Sequence, residues 1–176
     1  YKSGSNWGGF IAITLNNLRV GALSYFFGIF LGIGTFYILL NNCIMLGSFQ
    51  YFFYQRGVFW ESVRGIWIHG SMEIFAMIIE AGAGFILGAS ILFPQTFSRL
   101  NSFKIGFQNS FKIFLSTMPF TFAAGFLEGY ITRYSMEMPT YLSVGIILIT
   151  LSIISFYYLI YPFIVHKKAK KYVSTL

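Results

Sequence analysis

Charge is missing from four long stretches of this chain. No Asp, Glu, Lys or Arg falls between Arg19 and Arg56, between Glu80 and Arg99, between Lys112 and Glu128, or between Glu137 and Lys167. A hydrocarbon core of about 30 Å takes roughly 20 apolar residues of helix to cross. Stretches of that length therefore read as membrane spans, and the fold class is all-α: a polytopic helical membrane protein. Composition agrees. Charged residues make up 10% of the chain, against roughly 25% in an ordinary soluble domain, too few to cover a water-facing surface.

The whole of 1–176 is read as one helical transmembrane domain. Residues 1–19 form an amphipathic lead-in, 20–165 a membrane bundle and 166–176 a basic cytoplasmic tail. Spans are expected at about 20–40, 70–93, 113–132 and 140–164. Residues 20–55 as a single helix would be roughly 54 Å long, at about 1.5 Å per residue. That is too long for one span and too short for two full spans with a turn. A break is therefore expected at Asn41–Asn42, followed by a half-length segment, 42–55, interfacial or re-entrant. The chain opens with Tyr1 rather than methionine, so an upstream segment is expected.

The formal charge of +7 does not point to nucleic acid. Basic residues sit at the ends of apolar runs, where Lys and Arg mark the cytoplasmic side. On that count both ends of the chain, with Arg99, Lys104 and Lys112, face the cytoplasm, while Arg56, Arg64 and Arg133 lie outside. The single Cys43 cannot make an intrachain disulfide.

Ionisable residues inside spans are expensive and by default mark function. His69 and Glu73 are four residues apart, and Glu73 and Glu80 seven apart, so all three share one helix face. Glu80 lies deepest. It is expected to be neutral, to face the bundle interior near Asn41 and Asn42, and to donate a hydrogen bond there. Glu128 is a further candidate, near the outer end of the third span. Two readings stand for this set: a proton, ion or polar-substrate path, or a structural lock between helices. A metal site needs more ligands than the His69–Glu73 pair supplies, so neither metal nor cofactor is expected. No nucleophile–base pairing stands out, and no enzyme is expected. Three glycine pairs at four-residue spacing, Gly28 and Gly32, Gly84 and Gly88, and Gly125 and Gly129, fit close helix packing.

The stretch HGSMEIFAMIIEAGAGFILG, with NNLRVGALSYFFGIFLGIGTFYILLNNCIMLGSF before it, resembles the stage II sporulation protein M family of integral membrane proteins. The likeness covers about residues 16–90. It points to Asn16, Asn17, Asn42, Gly47, His69, Gly70, Glu73, Gly84 and Gly88. Cys43 stands where the family pattern has glycine, and Glu80 where it has a small residue. The resemblance implies a span before Tyr1 and a scaffold working beside a peptidoglycan-degrading partner.

The expected function is thus an inner-membrane component or scaffold of a multiprotein assembly, linked to remodelling of the bacterial cell envelope. Expected partners are the lipid bilayer, other membrane or envelope proteins and a second copy of the chain. The alternative is a small permease or channel-like subunit with a His/Glu/Asn polar path.

Overall fold

The computed structural model describes residues 6–173. Residues 1–5, which include Lys2 of the expected lead-in, and 174–176 of the expected tail lie outside it. Five helical stretches among the described residues are long and apolar enough to cross a membrane. Helix α1 is Asn6–Phe26, α2 Ile33–Gln55, α3 Phe59–Leu92 and α4 Arg99–Phe126. α4 continues through a π turn, Leu127–Ile131, and a short 3-10 turn, Thr132–Tyr134. α5, Thr140–Ser155, leads through a second π turn into α6, Tyr161–Val173.

The all-α, polytopic architecture expected from the sequence is the one observed, but the helix boundaries differ. The lead-in 1–19 is not separate: its described part runs into α1 without a break. Nor does the chain break at Asn41–Asn42, since α2 passes straight through them. Each asparagine instead bonds back to its own helix, Asn41 Nδ2 to the Tyr37 carbonyl at 2.7 Å and Asn42 Nδ2 to the Ile38 carbonyl at 2.8 Å. The reversal comes earlier, at Phe27–Gly32, where Leu31 and Gly32 take φ of 58° and 82°. That left-handed backbone suits glycine and turns the chain sharply. The charge-free run from Arg19 to Arg56 therefore serves two helices. The segment between the expected second and third spans becomes the first half of α4, and the tail continues as helix to Val173.

The direction of each helix follows from its cross-contacts. Gly21 meets Glu80 and Gly28 meets Gly84, so α1 runs parallel to α3. Thr35 lies against Gly84 and Ser62 bonds Gln50, so α2 runs antiparallel to α3. α4 is antiparallel as well, with Thr117 at Glu80 and Thr132 at His69. α5 is parallel, with Thr140 at Arg64 and Thr150 at Ser71. One end of the bundle thus holds the start of α1 and the α2–α3 and α4–α5 links. The other holds the α1–α2 and α3–α4 links and α6.

α3 is the hub, packing against α1, α2, α4 and α5. Its 34 residues extend about 51 Å, well past a 30 Å hydrocarbon core. Lipid tails are as apolar as leucine, so helices in a bilayer associate through close packing and hydrogen bonds. The interior is built that way. Buried residues include Thr14, Ser24, Thr35, Ser71, Ser110, Thr117, Thr121, Ser143 and Thr150. Several of these hydroxyls bridge helices. Tyr25 and Ser110 join α1 to α4 at 3.0 Å, Ser71 and Thr150 join α3 to α5 at 2.7 Å, and Thr35 donates to the Ser24 carbonyl at 2.7 Å. An aromatic layer adds to this, with Tyr25 stacked on Phe114 at 4.8 Å between ring centroids beside Ala83 and Leu87.

Candidate functional site

Four residues of α3 carry the site's chemistry or make room for it. His69, Gly70 and Glu73 lie within two turns and Glu80 two turns further on. His69 lies about 15 Å along α3 from its start, at 1.5 Å per residue, beside the last turns of the α4 stretch. Pro119 lies inside α4, and beyond it α4 widens into the π turn that holds Glu128. A π turn accommodates an extra residue and rotates those after it, and such turns are frequent at functional sites. Here it brings Glu128 and Thr132 to the His69 face of α3.

His69 Nε2 lies 3.6 Å from Glu128 Oε2, and the two side chains are 13% and 17% exposed. Its Nδ1 lies 3.0 Å from Thr132 Oγ1. One ligating atom each of His69, Glu73 and Glu128 lies within 4.8 Å of the others. Asn17 of α1 faces Glu73, at a range where its amide nitrogen completes no direct hydrogen bond.

This cluster forms one wall of a cavity of about 460 Å³. Thr132, Arg133 and Ser135 extend the polar wall, and Leu46, Phe49 and Phe53 of α2 form an apolar one, leaving the cavity half open. Volumes of roughly 300–1,000 Å³ are typical of small-molecule pockets.

Glu80 sits apart from that cavity, buried at 3% exposure. Its Oε1 is 2.7 Å from Thr117 Oγ1 of α4, and its carboxyl group occupies the space a β-carbon on Gly21 would fill. The hydrogen bond expected between Glu80 and Asn41 or Asn42 is made with Thr117 instead, while both asparagines bond α2's own carbonyls. They line no part of the cavity with His69 and Glu73. The asparagine beside Glu73 is thus Asn17 rather than Asn41 or Asn42.

The glycines lie at helix crossings. A β-carbon at Gly28 would overlap the Gly84 carbonyl, and one at Gly88 would overlap the Gly32 nitrogen. At Gly28 and Gly88 the α1–α2 turn is therefore seated on α3 backbone against backbone. One at Gly125 would overlap Thr14 Oγ1, and one at Gly129 would lie 3.0 Å from Phe10 Cβ. Gly47 has open space around it, and Asn16 is exposed on α1. Gly70 is buried at the cavity wall and meets only Ile66 and Ile74 of its own helix.

Sequence reasoning missed Thr117, Thr132 and Gly21. Thr117 leaves a faint signal as a hydroxyl in the apolar run before Pro119. Gly21 leaves none, since its importance comes from a carboxyl group 59 positions away.

Residues 1–133 match the model of a family described as stage II sporulation protein M. No curated protein matches the chain, and no solved structure does. The match covers well over half the sequence, and the chain belongs to that family: it is a multi-pass membrane protein of the stage II sporulation protein M family.

Proposed function

We propose that this member of the family is a membrane-embedded scaffold, a helical component of a multiprotein assembly that remodels the bacterial cell envelope from the inner membrane. It acts by binding rather than by catalysis. Its partners are lipid, other membrane or envelope proteins and further copies of the chain, not nucleic acid. α2 carries this reading. Among its described residues Thr35 is buried, while Ile33, Phe36, Tyr37, Leu40, Ile44 and Met45 are exposed. A helix so apolar around most of its circumference suits a surface that other spans pack against.

Photo-crosslinking residues at positions 37 and 45 in intact membranes test it. A scaffold yields discrete protein adducts, either with a second copy or with a larger partner. Adducts with lipid alone at both positions would overturn it.

The cavity beside α2 supports a second reading, a transport subunit. Half-buried ionisable residues lining a cavity between helices are a feature of membrane pathways. Solute flux through proteoliposomes holding this chain alone, abolished by Glu73→Gln, would favour transport over scaffolding.

A further inference from the structure

We propose that His69, Glu73 and Glu128 bind one divalent transition-metal ion of the zinc class at the cavity wall. The proposal stands independently of the scaffold reading. α3 supplies two donors at i and i+4, and the π turn of α4 supplies the third.

Geometry comes first. The three candidate ligand atoms lie within 4.8 Å of one another, and the His69–Glu128 pair is at 3.6 Å. Ligands held about 2.0–2.2 Å from a tetrahedral zinc are roughly 3.3–3.6 Å apart. One pair is already at that spacing, and side-chain rotation of about 1 Å closes the widest gap.

Orientation agrees. With His69 Nδ1–H donating to Thr132 Oγ1 across 3.0 Å, Nε2 keeps its lone pair and points it at the Glu128 side of the cluster. A hydrogen bond to the second ring nitrogen is how metal-binding histidines are aligned.

Charge and donor type narrow the ion. Two carboxylates close together in a half-buried site are costly in a membrane interior. A 2+ ion between them lowers that cost, alongside the contacts the carboxylates already make. One imidazole and two carboxylates, with no thiolate, suit Zn²⁺, Mn²⁺ or Fe²⁺ rather than a soft ion such as Cu⁺. Cys43 is exposed on α2 and is not part of the cluster. Three protein ligands leave a fourth position facing the cavity, the open arrangement that lets a metal hold water or a small ligand. The competing arrangement has Arg133, on the same wall, holding the carboxylates without metal.

The test uses the full chain in detergent micelles, stripped with chelator and then titrated with Zn²⁺ alone. One equivalent should bind with a dissociation constant in the micromolar range or below. X-ray absorption should show one imidazole with oxygen donors and no sulfur. His69→Gln, Glu73→Gln and Glu128→Gln should each weaken binding roughly 100-fold, while Cys43→Ser and His166→Gln leave it unchanged. No zinc uptake by the folded wild type would overturn the proposal. So would a sulfur ligand, loss of binding with His166→Gln, or unchanged affinity in all three cluster variants. The absorption spectrum of the wild type decides the matter even where a variant fails to fold.

Discussion

Glu80 shows at the scale of one residue how a carboxyl group is accommodated in a membrane helix. Thr117 Oγ1 lies 2.7 Å from Glu80 Oε1 and also 2.7 Å from the Phe114 carbonyl. A hydroxyl has one proton and cannot donate fully to both. Both short contacts are satisfied together when a protonated Glu80 donates to Thr117 and Thr117 donates onward to Phe114. Glu80→Gln should then preserve folding, because its amide group donates the same bond into the same space. Glu80→Leu removes the donor and should destabilise by about 1–3 kcal/mol, measured by reversible unfolding in mixed micelles. A Leu variant as stable as wild type would show the Thr117 contact to be dispensable. The sequence revealed that residue 80 needed a partner, because charge in an apolar run is conspicuous. It did not reveal the partner, because threonine is unremarkable in a membrane helix.

Elements are set by backbone, and there the sequence was legible in kind but not in boundary. Hydropathy measures length, so it recovered the long apolar runs. It cannot distinguish a polar pair that breaks a helix from one that bonds back within it. Asn41 and Asn42 do the latter, whereas the true reversal, at Leu31–Gly32, lies inside an apolar run. The π turn at Glu128 escaped for a related reason. Helical periodicity assumes a constant angle per residue, and a wide turn resets the phase, so nothing aligned Glu128 with His69 beforehand. Glycines offer a sharp test at this scale. Gly84→Ala should destabilise by about 1–3 kcal/mol through overpacking, since its β-carbon would lie 2.5 Å from Thr35 Oγ1 and 2.7 Å from the Ser24 carbonyl. Gly82→Ala, two positions away with nothing within 4 Å, should be neutral or stabilise by about 0.5–1 kcal/mol through helix propensity. Equal thermal shifts in detergent would count against the crossing.

For the whole molecule, five crossings place the start of α1 and the end of α6 at opposite ends of the bundle, unlike the expected arrangement with both ends cytoplasmic. The end with α6 carries Lys167, Lys168 and Lys170, with Arg99 beside the α3–α4 link. We propose from the positive-inside bias that this end is cytoplasmic and that Arg56, Arg64 and Arg133 lie outside. Single cysteines in a Cys43→Ser background should be labelled from outside intact cells at positions 57 and 137, and not at 96 or 170. The reverse pattern would invert the topology. The hub position of α3 also has a consequence in time. The backbone seat for Gly28 is Gly84, and it leaves the ribosome about 60 residues later, roughly 3–12 s at ordinary synthesis rates. Gln55, the end of α2, emerges about halfway through that interval, so α1 and α2 can pair through the Thr35–Ser24 bond before the face at Gly28 has anything to close on. The face at Gly28 closes only when α3 arrives, so the hub that joins the first two helices is the third to be made.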